Sequence, residues 1–183
     1  MKNKYIIAFV VCALAIASCT KLEEDLHGQV GRENVSQSDV PALLTSAYKA
    51  MRNPFQGPWG WWSLQEFTSD EAIVPTRAGD WDDNGAWRAL FLHKFSADHD
   101  RISGTFRDLN SISYVTTNVE EFNPTPEQSA VARFLRAFAQ FSILDGWGQV
   151  PYRQPGEDVT KPSLVRQAPE QIEYLIKELN EII

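Results

Sequence analysis

The chain has 183 residues with 17 basic and 24 acidic side chains, which give a net charge of −7 at neutral pH. This acidic balance argues against a nucleic-acid-binding face, because such a face needs clustered lysine and arginine. Hydrophobic residues make up 43% of the sequence, which is typical of a soluble globular chain, and the length suits one domain or part of one.

The first 18 residues have the layout of a lipoprotein signal peptide. Lys2 and Lys4 form a positive start, residues 5–17 form an apolar stretch too short for a relaxed membrane span, and small residues precede Cys19. We therefore expect cleavage before Cys19, diacylation of its sulfur and N-acylation of the new amine, so that acyl chains such as palmitate anchor the protein to a membrane. The alternative is an ordinary signal peptide with a coincidental cysteine, or an N-terminal helical anchor.

Residues 19–37 are predicted to form the lipid-anchored tether. Its acidic run, Glu23 to Asp25, is disfavoured next to an anionic membrane surface and should hold the protein away from the bilayer. Cleavage would leave 15 basic and 24 acidic residues, a net charge of −9. Cys12 leaves with the signal peptide and Cys19 carries lipid, so the mature chain has no disulfide and depends on a packed core.

Residues 38–183 are predicted to form a helical domain. Apolar residues recur there at intervals of three and four, the spacing that places them on one face of a helix. In the first such segment, Ser38 and Pro41 have the positions of an N-cap and a first-turn proline. The four segments run from about 39 to 52, from 101 to 122, from 126 to 145, and from 169 onward.

The third of these helices is apolar almost all round, so we expect it to be the buried centre of the fold. Its apolar residues are Phe134, Leu135, Ala137, Phe138, Phe141, Ile143 and Leu144. Gly146 and Gly148 are predicted to end it, and Val150 to Tyr152 are predicted to continue as an extended segment.

The last helix carries a clean apolar stripe that needs a partner helix. The stripe consists of Ile172, Leu175, Ile176, Leu179, Ile182 and Ile183. No glycine, cationic last turn or polar tail marks the end of this helix. We therefore expect the chain to be the N-terminal fragment of a longer protein.

The insert between the first two helices, residues 53–100, is predicted to be loop-rich and holds most of the glycine, proline and tryptophan. Its tryptophans are Trp59, Trp61, Trp62, Trp81 and Trp87. Loops of this length in a compact domain are usually functional. One tryptophan alone is most simply a core residue. Five of them beside Arg77, Asp80, Asp82 and Asn84 instead predict a sugar-binding surface, because indole rings stack on sugar C–H faces and polar groups bond sugar hydroxyls.

The same segment offers a weaker signal for calcium. Asp80, Asp82, Asn84 and Gly85 match the start of an EF-hand loop. The match fails where Phe91 stands in place of the bidentate glutamate. A turn whose polar side chains cap their own backbone is therefore favoured over a metal site.

The sequence supports an enzyme active site less well than a ligand-binding surface. Candidate carboxylates come from Asp70 and Glu71 and from Asp80, Asp82 and Asp83. Acidic residues that are neighbours in sequence do not by themselves show the paired geometry that a glycosidase needs. The three histidines lack metal-ligand spacing. No nucleophile motif or glycine-rich phosphate loop is present, so no cofactor is expected.

Two parts of the sequence resemble the SusD/RagB family of surface glycan-binding lipoproteins. The stretch RFLRAFAQFSILDGWGQVPYR, Arg133 to Arg153, resembles the most recognisable signature of that family. The N-terminal part of the family is resembled by SDEAIVPTRAGDW (Ser69 to Trp81), the Trp87-Arg88 segment, His93 and Asn118. The resemblance covers nearly the whole chain after residue 18 and agrees with the lipoprotein signal.

The resemblance implies an all-α fold of tetratricopeptide-like helix pairs with a long loop-rich insert, although no clean 34-residue repeat is visible. It also implies an outward-facing place on the cell outer membrane and a non-enzymatic role in polysaccharide uptake. In that role the protein binds an oligosaccharide or polysaccharide and passes it to a SusC-like TonB-dependent transporter. The glycan-binding positions that match are Asp70, Arg77, Trp81, Asp82 and Asn84.

Two alternatives stay open. A secreted glycoside hydrolase fragment would turn over an oligosaccharide and lose that turnover when Asp70 or Asp82 is replaced. A helical scaffold that binds only a partner protein would keep its ligand affinity when the tryptophan-rich insert is removed.

We predict that Cys19→Ala moves the protein from the membrane to the soluble fraction or leaves the signal peptide uncleaved, because Cys19 is the residue placed to carry the lipid. Cell fractionation and radiolabelled palmitate measure the two effects. Cys12→Ala, within the signal peptide, is the control and should leave the labelling unchanged. Palmitate that remains on the Cys19→Ala protein would contradict the anchor.

Overall fold

The computed structural model describes residues 35–75 and 77–183. The predicted signal peptide (1–18), the lipidation site Cys19 and most of the predicted tether lie outside these residues. The described part is mostly helical with one two-stranded sheet, which confirms the predicted all-α fold class. Among the described residues, none of the helices has the length and apolar character needed to cross a bilayer.

The first predicted helix is present as α1 (Val40–Ala50), and it bends at Met51 into a short α2 (Arg52–Gln56). A single 3-10 turn, Gln37–Asp39, precedes α1. Its cap is Ser36, whose backbone N–H donates to the Asp39 carboxylate at 2.8 Å. The N-cap of α1 itself is Asp39, one residue after the predicted Ser38, because the 3-10 turn occupies the residues before it.

The insert predicted to be loop-rich contains two further helices, α3 (Trp61–Thr68) and α4 (Ala86–Phe91). These helices are six to eight residues long, and two turns are too few for apolar periodicity to stand out in the sequence. Irregular chain is concentrated in residues 69–75, 77–82 and 92–99. The segment that holds the candidate site is therefore carried on short helices.

The core is built on a helical hairpin of α5 (Asp100–Val119) and α6 (Pro126–Trp147), both of which the sequence predicts. Thr125 caps α6 by accepting the backbone N–H of Gln128, and the Gln128 side chain returns a bond to the Thr125 N–H. The main core cluster draws on both helices and on the chain that follows them, and it is made of Leu109, Ile112, Ala137, Ala139, Ile143, Leu144, Val150 and Leu175.

Helix α6 is central to the fold but is not buried all round. Phe134, Phe138 and Phe141, which share one stripe, are 52%, 41% and 57% exposed. The faces toward α5, α1 and α7 (Ala168–Ile182) instead carry mostly small or polar buried residues such as Ala139. The expected burial of the three phenylalanines is wrong. Small side chains let α1, α5 and α7 pack closely on α6, and the large phenylalanine rings lie on its exposed face.

The end of α6 is set by Gly148, as predicted, whereas Gly146 lies within the helix. Gly148 has φ +72°, and its N–H donates to the Leu144 carbonyl at 2.7 Å. A Cβ atom at Gly146 would approach the Trp61 ring to 2.9 Å. The Trp61 ring therefore packs directly on Gly146, and this contact fixes α3 against the end of α6.

A short antiparallel hairpin joins α6 to α7. Its strands are β1 (Gln149–Tyr152) and β2 (Leu164–Gln167), which confirms the extended segment predicted after Gly148. The Arg166 guanidinium lies 3.5 Å from the ring centroid of Tyr152 and 4.0 Å from that of Tyr174. These two cation–π contacts hold the hairpin against α7.

Helix α7 docks on α6 through buried polar side chains. The Glu178 carboxylate accepts hydrogen bonds from Arg133 at 2.9 and 3.0 Å and from Arg136 at 3.0 Å. Two turns earlier on α7, Gln171 donates to Gln140 at 3.0 Å. The interface is thus a hydrogen-bonded layer with Leu175 packed inside it.

The apolar stripe predicted on α7 is mostly exposed. Ile172, Ile176 and Leu179 are 49%, 58% and 37% exposed, and only Leu175 is buried in the core. The helix turns its polar residues inward because α6 presents two arginines at that point. The stripe has no partner helix among the described residues.

We predict that Ile143→Ala lowers the free energy of unfolding by about 2–5 kcal/mol, because Ile143 is fully buried and its loss leaves a cavity. Phe138→Ala should cost clearly less, since water fills the space left by a half-exposed ring. Chemical denaturation with an unchanged m-value measures both. Equal losses for the two variants would contradict the orientation of α6.

We predict that Glu178→Gln destabilises the protein at pH 7 by about 1.5–3 kcal/mol, because two arginines lose their charged acceptor. Burial raises the pKa of Glu178, but hydrogen bonds and charge from Arg133 and Arg136 outweigh it and hold the pKa below its usual value. The contribution is therefore complete above the unfolded pKa and is lost as pH falls through the lower folded pKa.

The measurement for Glu178 is a denaturation series from pH 7 down to about pH 3 for wild type and variant. The stability difference should shrink toward the acid end. Glu181→Gln, which removes a half-exposed partner of Arg133, is the control and should change stability little. A Glu178 difference that stays constant with pH would show that the carboxylate charge is not involved.

Candidate functional site

Three tryptophans from separate parts of the insert stack on one another and form what we call the indole cluster: Trp59, Trp81 and Trp87. The Trp59 ring centroid lies 5.3 Å from that of Trp81 and 4.8 Å from that of Trp87, with interplanar angles of 18° and 24°. The cluster therefore joins the turn before α3, the irregular segment before α4, and α4 itself.

Trp87 anchors the indole cluster to the core. Its side chain is 2% exposed, and its Nε1–H donates to the Asp83 carboxylate at 2.6 Å. The Phe67 ring of α3 meets it edge-on at 5.3 Å. By contrast, Trp59 and Trp81 are 36% and 46% exposed. The buried Trp87 thus packs on Trp59, which in turn stacks on Trp81, and these last two rings face solvent.

Arg101, in the first turn of α5, completes the cluster. Its guanidinium lies 4.2 Å from the Trp59 ring centroid and 5.4 Å from that of Trp87. Such stacking is a favourable cation–π geometry. The sequence gives no local signal for this contact, because Arg101 lies outside the insert and at the start of an ordinary helix.

The chain between α3 and α4 reaches the cluster through two tight turns. Arg77 and Asp80 exchange backbone hydrogen bonds at 2.9 and 3.2 Å, and the Gly85 N–H donates to the Asp82 carbonyl at 2.7 Å. Trp81 has φ +59°, a left-handed conformation that side-chain-bearing residues rarely adopt. This conformation lies between the two turns, at the residue that stacks on Trp59.

An open groove of about 480 Å³ lies beside Trp81 of the cluster, and we call it the indole groove. Trp62 and Trp81 provide aromatic faces, and Arg77 and Asp80 provide a donor and an acceptor. The rest of the lining is apolar: Pro58, Phe67, Ala72, Ile73, Val74 and Pro75. Aromatic rings with a few polar groups can bind the C–H faces and hydroxyls of a sugar.

Of the five residues predicted to bind glycan, Arg77 and Trp81 line this groove, and Asp70, Asp82 and Asn84 do not. The Asp70 carboxylate lies 3.6 Å from His93 Nε2, with both side chains exposed. Asp82 is half-buried in the turn before α4, and Asn84 is exposed beside it. The structure thus brings two of the predicted residues together and adds Asp80 and Trp62.

The remaining tryptophan of the insert, Trp61, lines a separate apolar cavity. This cavity has a volume of about 610 Å³ and lies between α3, the 92–99 segment, α5 and the end of α6. Phe95, Phe106 and Trp147 supply most of its other aromatic surface. The five tryptophans therefore divide between core and surface, which the sequence cannot show.

The described residues do not assemble a metal centre or a carboxylate pair at the groove. No group of three or more histidine, cysteine, aspartate or glutamate residues in 35–75 and 77–183 is arranged to hold a metal ion. Among the described residues, Asp80 is the one carboxylate that lines the indole groove. The arrangement can bind and orient a ligand with rings and hydrogen bonds.

Comparison with known proteins gives one weak similarity. A SusD-like protein of Formosa agariphila is 26% identical over 173 aligned residues, which cover 83% of this chain and 32% of that protein. The chain thus spans about a third of the length of the curated relative that it matches. No protein-family model matches the chain, and no solved structure matches it significantly. The similarity supports membership of the SusD family at most.

Proposed function

We propose that the chain is part of a surface lipoprotein that captures oligosaccharide or polysaccharide at the indole groove and delivers it to a TonB-dependent transporter of the outer membrane. Cys19 would carry the lipid anchor. The proposal extends the weak SusD-like similarity to a role in nutrient uptake.

The observation that carries the proposal is the exposure of Trp81 on top of the stacked cluster. An exposed indole costs hydration free energy, and this one stacks on Trp59 and has a left-handed backbone conformation. Arg77 and Asp80 lie in the same groove and can bond sugar hydroxyls. A preformed aromatic face beside a donor and an acceptor is what a pyranose ring needs.

Binding is favoured over hydrolysis because a single carboxylate, that of Asp80, lines the groove within the described residues. A glycosidase needs two carboxyl groups across the scissile bond. Asp80 is the one carboxylate that lines the groove within the described residues, and Asp70 is paired with His93 elsewhere. This lining supports a capture role and offers no specific support for a glycosidase.

A second candidate, a helical scaffold that binds a partner protein, is favoured by the exposed apolar stripes of α6 and α7. Phe134, Phe138 and Phe141 of α6 and Ile172, Ile176 and Leu179 of α7 form these stripes. The two helices are antiparallel, since Arg133 meets Glu178 and Gln140 meets Gln171. Helical geometry then turns both stripes to the same side of the pair. This face is distinct from the indole groove, so the two candidates can be tested separately.

We predict that Trp81→Ala weakens oligosaccharide binding by about 1–3 kcal/mol, the loss typical of a truncated aromatic anchor. The ligand is taken from a screen of the full chain against a polysaccharide array, and affinity is measured by calorimetric titration. The fold should persist, because Trp81 is half-exposed and Trp87 holds the cluster to the core.

Tyr48→Ala, which removes a comparably exposed aromatic ring from α1, is the matched control and should leave the affinity unchanged. A thermal melt on each sample separates binding from stability. An unchanged affinity with a lowered melting temperature for Trp81→Ala would remove Trp81 from the site. Lost affinity in a variant with the phenylalanines of α6 replaced, but not in Trp81→Ala, would favour the protein-binding face.

A further inference from the structure

A second depression, which we call the polar cleft, opens between α2 and the start of α5. Its volume is about 490 Å³, and Pro58 lines both this cleft and the indole groove. The two therefore meet at the turn that carries Trp59. The side chains that matter in the cleft are those of Arg52, Gln56, Trp59, Arg101, Thr105 and Asp108.

Thr105 is the first sign that the polar cleft is built for a ligand. Its side chain is 2% exposed, and its hydroxyl has no hydrogen-bond partner. Two other buried threonines of α5, Thr116 and Thr117, donate to the carbonyl one turn earlier at 2.7 and 2.8 Å. A buried hydroxyl left unbonded is unfavourable, and a ligand in the cleft would supply its partner.

Arg101 provides a second unbonded donor on the same wall. Its Nε–H is buried without a hydrogen-bond partner, while the guanidinium stacks 4.2 Å from the Trp59 ring centroid. The stack holds the donor in place without using its hydrogen-bonding capacity. Arg101 and Thr105, one turn apart on α5, thus both line the cleft, and each has a buried polar atom without a hydrogen-bond partner.

The charges of the polar cleft balance. Arg52 and Arg101 contribute two positive charges, and Asp100 and Asp108 contribute two negative charges. Burial raises the pKa of Asp108, against the opposing charge of Arg107, so this carboxylate is incompletely solvated. A phosphate or sulfate would meet two carboxylates here, and an amine would meet two guanidinium groups. Neutral hydroxyls, which both donate and accept, fit this lining best.

The wall that α5 contributes to the polar cleft is open at Gly104. Gly104 lines it, and a Cβ atom added there would have no heavy atom within 4 Å. A larger side chain at this position would therefore extend into open space. The same feature gives a way to fill the cleft without altering its polar walls.

We propose that the polar cleft is a second saccharide subsite, which binds an uncharged sugar residue of the same glycan chain that stacks on Trp81. The inference rests on the proposed function, because it extends that ligand across the Pro58–Trp59 turn. Thr105 and Arg101 donate to sugar oxygens, Asp108 accepts a sugar hydroxyl, and Trp59 supplies an apolar wall.

The test titrates the full chain with a panel of hexasaccharides: the neutral cello-, xylo-, manno- and malto-series and anionic hexagalacturonic acid. Thr105→Val removes the unbonded hydroxyl and keeps the shape of the side chain. It should weaken binding of the best neutral hexasaccharide by about threefold to tenfold, the worth of one hydrogen bond. It should not lower the melting temperature, because that hydroxyl makes no bond in the free protein.

The matched control is Thr116→Val, which removes a bonded hydroxyl further along α5 and should leave the affinity unchanged. Gly104→Leu fills the cleft and should abolish the contribution of the subsite, while Gly104→Ala should keep it. If Gly104→Leu fails to fold, Thr105→Val decides the result alone.

The outcomes separate this inference from the proposed function. Weaker binding by Trp81→Ala together with unchanged binding by Thr105→Val and Gly104→Leu would overturn the second subsite and leave the indole groove. Weaker binding by the Thr105 and Gly104 variants, but not by Trp81→Ala, would support the second subsite in the polar cleft. It would also show that the indole groove is not part of the binding site. Preference for hexagalacturonic acid would overturn the assignment of an uncharged sugar to the polar cleft. If no hexasaccharide binds but the polysaccharide array yields a ligand, the same variants are titrated with that ligand, and no ligand from either source would overturn both proposals.

Discussion

The packing of α5 against α6 is the contact on which the rest of the described structure depends. Helices α1, α2 and α3 contact α5, while α7 and β1 contact α6. Small buried residues such as Ala132 and Ala139 let the two axes approach closely. The position of the insert depends on this pair, because Trp61 packs on Gly146 of α6 and Arg101 of α5 lies over Trp59.

The long helices could be predicted from sequence because their signals are local. Thr125 and Pro126 mark the start of α6, and Gly148 marks its end. Which face of each helix turns inward is a different question. Glu178 is buried because Arg133 and Arg136, 45 and 42 residues away, present two guanidinium groups to it. Hydrophobicity alone predicts the opposite face, since it ranks side chains without their partners.

The candidate site was predictable in composition but not in its pairings. A cluster of tryptophan with arginine and aspartate indicates an aromatic ligand surface, and Trp81 and Arg77 do share a groove. The sequence cannot tell that Trp87 is the buried member and Trp81 the exposed one. Nor can it show that Arg101 joins the cluster, because contacts between separate elements depend on how α3, α4 and α5 pack. Asp70, Asp82 and Asn84 stay predictions with no shared groove to support them.

Residues in left-handed backbone conformations are concentrated in the insert, and they lower its local stability. Six of the seven non-glycine residues with positive φ among the described residues lie between positions 70 and 93. Each such conformation costs on the order of 1–2 kcal/mol for a residue with a side chain. The segment should therefore unfold locally before α5 and α6 do, and its amides should exchange with deuterium first. A glycan stacked on Trp81 would oppose that opening, so occupancy of the groove should slow proteolytic cleavage in this stretch.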